Sequence, residues 1–162
     1  MSVGVAGLSI REQLLDKAAE NLERINGGAP YHNDFVGRVH RDDYDEEEAG
    51  GAPEIIFVEN EDGEADEPIS SNCNEHRTAS VSMLIYVPRN FDKTASAQAN
   101  EILADLELAL VAGGRDQQGG FATMTRLGPW VPFTAPDAPI VSAVMACEFD
   151  YVHDREDPHN AT

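Results

Sequence analysis

Two stretches of this chain alternate apolar residues with others for longer than a turn would allow. In residues 78–87, Val81, Met83, Ile85 and Val87 alternate with Ser80, Ser82, Leu84 and Tyr86. In residues 140–152, Val141, Ala143, Met145, Cys147, Phe149 and Tyr151 keep the same period. A period of two sends successive side chains to opposite faces, so each stretch predicts a long strand with one face in a core. Leu84 and Tyr86 further predict that the second face of the first strand is covered too. Pro88 ends that strand.

The remaining pattern surrounds these strands with helices and shorter strands. Ser9-Ile10-Arg11-Glu12 is a capping box, in which two free backbone donors at a helix start are satisfied. Ile10, Leu14, Ala18, Leu22 and Ile25 then form one apolar stripe, widened by Leu15 and stopped by Gly27 and Gly28. A second helix is expected from Asp92 or Thr94 to about Ala112. Its stripe is Ala99, Ile102, Leu103, Leu106 and Leu110, and Gly113-Gly114 caps it. Shorter strands are expected over 35–39, 54–59 and 121–127. The last is interrupted at Gly128-Pro129 and resumes over 130–133 after a kink or bulge. The order α-β-β-β-α-β-β predicts an α+β fold: a mostly antiparallel mixed sheet of about five strands, with two amphipathic helices packed on one face. Residues 1–152 are expected to form a single domain with acidic loops at 42–52 and 60–76. Residues 153–162 read as a polar tail, expected to be mobile.

Charge divides the chain unevenly. It carries thirty Asp and Glu against eleven Lys and Arg, a formal net charge of -19. Fourteen of the acids fall between Asp42 and Glu75, where no Lys or Arg occurs. The rest is a mildly acidic scaffold with 41 % apolar residues over the whole chain, enough for a core. A surface of this sign repels nucleic acid, so tight phosphate binding is excluded. Only Lys17 and Lys93 are lysines, which would suit a salt-loving host, yet a halophile spreads its acids over the whole surface. No run of about 18 apolar residues predicts a membrane span. Met1–Gly7 lacks a basic region and a long apolar one, so no signal peptide is expected.

Motifs for chemistry are sparse. There is no phosphate loop, no dinucleotide fingerprint and no nucleophile elbow. Cys73-x-x-His76 could open a zinc site, but the remaining candidates, Cys147 and four scattered histidines, show no second half. Cys147 reads as a buried free thiol, and Cys73 as a polar-loop cysteine whose pairing stays open. The residues before Gly63 break the calcium-loop pattern at Val58. After Glu54 come Ile55, Ile56 and Phe57, with no lysine of the kind a metal-dependent nuclease uses. No cofactor, metal or catalysis is therefore expected. Gly128-Pro129-Trp130-Val131-Pro132-Phe133 is an apolar patch. Trp130, Val131 and Phe133 are candidates to anchor a protein contact; the alternative is that Trp130 and Phe133 plug one end of the core.

Taken in order, these elements resemble the tail terminator, or tail completion, proteins of long-tailed bacteriophages. The resemblance is carried by the stripe from Ile10 to Ile25, Tyr31 entering the first strand, and the strand Pro53-Glu54-Ile55-Ile56-Phe57-Val58. It continues through the long strand over 79–87, the helix over 98–110 and the closing strand over 140–151. The acidic loops and the tail after Val152 depart from it. The resemblance implies a non-enzymatic virion protein at the tail–neck junction, assembled in the host cytoplasm. Six copies would form a ring on the head-proximal end of the tail tube, stop its growth and meet the neck proteins. Its partners would be its own copies, the tube protein and a neck or head-completion protein. DNA would pass through without being held, and no membrane is involved.

The acids then gain a role. Asp42, Asp43, Asp45, Glu46, Glu47, Glu48, Glu61, Asp62 and Glu64 are expected either to face the channel or to dock against a basic partner. In the channel they would repel phosphates within a Debye length of about 8 Å. At a docking site they would steer encounter. Another head-closure or neck connector is the nearest alternative. A small acidic cation- or ligand-binding domain is the alternative of a different class.

Overall fold

Two fifteen-residue strands, β4 (Asn74–Pro88) and β6 (Ile140–Asp154), run antiparallel along their whole length. Asn74 lies opposite Asp154 at one end and Pro88 opposite Ile140 at the other. At about 3.3 Å per residue the ribbon is roughly 50 Å long. It is the spine of a computed structural model that describes residues 8–41, 51–64, 74–154 and 157–159. On one side of the spine lie β2 (Glu54–Glu59) and, beyond it, β1 (Val39–His40). On the other side lies β5 (Met124–Pro132). The path is β1-β2-β4-β6-β5, with the two-residue β3 (Gly63–Glu64) also paired to β4. Only β1 and β2 pair in parallel among the described strands, so the sheet is mixed and mostly antiparallel, as expected of an α+β fold.

Several expected boundaries move. The strand expected over 35–39 shrinks to Val39–His40. Phe35 is instead a wholly buried plug in a loop, its N–H donating to the Ile25 carbonyl at 2.7 Å. The acidic loop expected over 60–76 is shorter, because β3 pairs with Arg77 and Thr78, and Asn74, Glu75 and His76 already belong to β4. Backbone pairing does not require apolar side chains, so those polar residues gave no strand signal. The tail also begins later than expected, since His153 and Asp154 remain in β6. Beyond it, the Pro158 carbonyl accepts from the Ile10 N–H at 2.9 Å, satisfying one of the free donors at a helix start.

That helix is α1 (Ile10–Leu22), capped by Ser9, whose Oγ accepts from Glu12 N–H at 3.1 Å. The other half of the expected capping box is diverted: the Glu12 carboxylate turns to Arg41. Ile10, Leu14, Ala18 and Leu22 are fully buried, and Ile25 is buried just past the helix end. The second helix, α2 (Ala95–Leu110), starts at its Thr94 cap. It ends before Ala112 and passes into a tight turn, Ala112–Gly120, where Gly113 and Gly114 take φ of 67° and 82°. Such angles are left-handed and cheap only for glycine.

Both helices cover one face of the sheet. The odd-numbered residues of β4 and β6, with Ile55 and Phe57 of β2, meet them in a single buried cluster. Register sends Ile56, Leu84, Val144 and Val131 to the opposite face. The expectation that Leu84 and Tyr86 are covered is not met. They are only half-buried, and no described helix lies over that face. The β5 bulge falls where Gly128-Pro129 predicts it, between Leu127 and Trp130. A Cβ on Gly128 would sit 3.0 Å from the Ala146 Cβ, so the close approach of β5 to β6 there needs glycine. No described helix is long and apolar enough to cross a membrane.

Two buried polar groups tie the layers together. Asp105 of α2 is fully buried and accepts from His32 N–H, Asn33 N–H and the Asn33 side-chain amide, between 2.8 and 3.1 Å. Gln118, also fully buried, takes a left-handed φ of 46°. Its Oε1 accepts from Asn21 Nδ2 at 2.7 Å, and its Nε2 donates to the Leu110 carbonyl and Thr125 Oγ1 at 2.8 and 2.9 Å. One side chain thereby joins α1, the end of α2 and β5. Gln118→Ala leaves these partners buried and unsatisfied and should cost about 3 kcal/mol in urea unfolding. Gln118→Gly relieves the backbone but orphans the same groups, so it should remain destabilised. A loss below about 0.5 kcal/mol in both would contradict this role.

Candidate functional site

The site is a pair of surfaces. One is an acidic end built around two arginines. Arg11 of α1 grips Asp62 with both Nε and Nη2, at 2.8 and 2.9 Å, and reaches Glu59 with Nη1 at 2.5 Å. Arg41 holds Glu12 and Asp16 of α1 at 2.6 and 2.5 Å and approaches Glu59 at 3.8 Å. Two guanidinium groups thus face four carboxylates, and the cluster stays negative. The Tyr151 hydroxyl lies 3.4 Å from Asp62. Burial, then the Asp62 charge, pushes its pKa up to about 12.

These contacts hold the described residues that border the acidic stretches. Arg41 immediately precedes Asp42, and Asp62 stands at the start of the β3 turn. Both are clamped to the first turns of α1. Asp62, expected in a free acidic loop, is therefore bound and part-buried, while Glu61 is exposed. Asp42, Asp43, Asp45, Glu46, Glu47 and Glu48 lie outside the described residues, as does the side chain of Glu64. Among the described residues no three His, Cys, Asp or Glu side chains come together to hold a metal. His76 lies in β4 and Cys73 outside the described residues. Cys147 is free and buried, and burial raises its thiol pKa well above the ordinary value.

The other surface is the open face of the sheet. Four of the seven exposed large apolar residues among those described, Val58, Met124, Val131 and Phe133, are on it or continue it. The expected apolar patch is split by the alternation of β5. Trp130 turns to the helical side and packs against the core. Val131 and Phe133 turn outward, 49 % and 54 % exposed. Trp130 thus fits the core-plug reading, whereas Phe133 is exposed and does not plug the core.

Charges on this face are paired with one another. Glu54 is 3 % exposed and accepts from Arg38 at 3.2 Å and from the His40 ring at 2.5 Å. Arg126 of β5 binds Asp150, and Glu148 at 2.8 Å, while Thr78 Oγ1 donates to Asp150 at 2.7 Å. Burial alone would raise the Asp150 pKa, but the Arg126 and Thr78 hydrogen bonds outweigh it and hold it below the usual value. Arg126 and Asp150 are far apart in sequence and meet only through the β5–β6 register, so no sequence signal marks them. Arg41 had one: it is the last base before the stretch that has none.

An open crevice of about 360 Å³ between α2 and β5 is lined by Glu107, Val111, Ala112, Thr125 and Leu127. Its hydroxyl, Thr125 Oγ1, is already committed to Gln118 and to the Asp116 carbonyl. Set against protein-family models and against curated proteins, the chain matches none.

The Arg41 clamp has a pH signature. Its hydrogen bond holds the Glu12 pKa below the ordinary value. A carboxylate depressed in the fold adds stability above its unfolded pKa and loses it as pH falls through the folded one. Glu12 is partly exposed, so solvent keeps the effect near the surface-pair range. Arg41→Ala should cost about 1 kcal/mol at neutral pH. The gap to the parent protein should close as pH falls below the ordinary glutamate pKa of about 4.3. A gap that persists in acid would instead assign the loss to packing of the Arg41 stem.

Proposed function

We propose that this chain is a structural, non-enzymatic subunit of a bacteriophage virion. In this reading it forms a ring on the head-proximal end of the tail tube, stops tube growth and docks to neck proteins. The observation that carries the reading is the separation of the acidic end, on the α1, β2 and β3 side, from the β5 edge of the sheet. A ring subunit must repeat one contact until it closes after a fixed rotation. A chain of net charge -19 can do so only if its acids stay clear of that contact. Here Arg11 and Arg41 bind the roots of the acidic stretches to α1, away from the strand edges of β5. Strand edges and long loops are natural ring contacts, and the prolines of β5 guard its edge against indiscriminate pairing. The acids would then line the channel, where they repel passing DNA, or meet a basic neck surface. Another neck connector would share these features and differ in not binding tubes.

Electron microscopy of the purified protein, alone and with candidate tube protein, should show rings and one ring capping each tube. Monomers that leave tubes uncapped contradict the reading. A monomer whose melting temperature rises with calcium would replace it with a cation-binding domain. Changing Asp42, Asp43, Glu46 and Glu47 to lysine separates the two roles of the acids. Normal assembly with poor DNA ejection supports the channel role, and tails that fail to join heads support docking. Normal particles that eject normally contradict both.

A further inference from the structure

The open face of the sheet carries apolar side chains among serines and paired charges, on a chain that is otherwise strongly negative. We infer that it is covered by a second copy of this chain, stacked sheet against sheet. The inference does not rest on the ring reading, whose contacts use strand edges and loops.

Three observations carry it. The first is electrostatic. Between the Glu54 and Asp150 levels, the face bears Glu54, Glu148 and Asp150, each bound by Arg38, His40 or Arg126. A basic partner would be steered to the acidic end. A like-charged copy approaches with least repulsion where charge is nearly balanced, and here three acids meet two arginines and His40.

The second is extent. Five strands about 4.8 Å apart, over three same-face rows, make a flat area of roughly 20 Å by 20 Å before side-chain relief is added. Glu54, Tyr86, Ser142 and Ser82 interrupt its apolar residues, and a mixed patch of this size on a soluble chain is often a contact surface. The pair of faces falls in the size range of weak contacts, so the stacked pair is expected to depend on concentration.

The third is relief. One transverse row is bulky: Ile56, Leu84, Val144 and Val131. The next row contains Val58, Ser82 and Ala146, with Gly128 at the β5 bulge beside Ala146. A two-fold axis lying in the face between these rows sets Leu84, Val144 and Val131 of one copy over Ser82, Ala146 and Gly128 of the other. That is self-complementarity of the kind an isologous contact requires, with the two sheets about 10 Å apart.

The test is mass by light scattering across a concentration series, for the parent protein and for the double variant Val131→Asp, Phe133→Asp. Both side chains are half exposed in the single chain, so the variant should keep its fold, checked by far-UV circular dichroism, while loss of the contact lowers its melting temperature by mass action. The inference expects the variant to have half the parent mass: a dimer becomes a monomer, or a pair of rings becomes one ring. Phe91→Asp, 65 % exposed in a loop off this face, should leave the mass unchanged. An unchanged mass in the double variant overturns the inference, and the ring reading then stands only where that mass is a ring's. A parent dimer that halves supports the inference while removing the ring. A parent that is monomeric throughout overturns both.

Discussion

The antiparallel pairing of β4 with β6 sets the geometry of everything else. Fifteen residues on each side stay in register from Asn74 opposite Asp154 to Pro88 opposite Ile140. A slip of one residue would turn Val81, Met83, Ile85 and their partners out of the core, so burial of that face locks the register. With the register locked, Arg126 meets Asp150 through β5 and Glu54 meets Arg38 and His40 through β1. The same register divides the apolar residues between a face that two helices bury and a face that they leave open.

That division explains how a chain of net charge -19 can hold a core and still present a surface suited to contact. Repulsion among the acids is confined by two arginines that fasten Glu12, Asp16, Glu59 and Asp62 around the start of α1. The Pro158 carbonyl closes the same helix end from the C-terminal side. On the open face Glu54, Glu148 and Asp150 each have a cation or hydroxyl partner, so the apolar rows between them are flanked by paired charge. The two surfaces are complementary consequences of one arrangement: acids outnumber bases around the start of α1 and are nearly balanced on the face.

Much of the scaffold was legible because it rests on period. The stripes of α1 and α2, the alternation of β4 and β6 and the Gly128-Pro129 break in β5 all appear in the structure close to where the sequence placed them. What period does not encode was missed. Phe35 looked like part of a strand but is a core plug, because one buried aromatic in a short apolar run serves either purpose. Asn74, Glu75 and His76 looked like loop but are paired, because the ladder is made by backbone. Gln118 stood in a glycine-rich turn with no mark of its place at the centre of a buried network. Trp130 and Val131 looked like one patch until the strand sent them to opposite faces.

The central claim is that the open sheet face is buried in the assembled protein while the single chain would leave it bare. Hydroxyl-radical footprinting of the intact protein as purified measures this side chain by side chain. Val131 and Phe133 on the face, and Phe91 and Val36 off it, are all about half exposed or more in the single chain. The account predicts strong protection of Val131 and Phe133, with Phe91 and Val36 labelled freely. Labelling of Phe133 as heavy as that of Phe91 would contradict it.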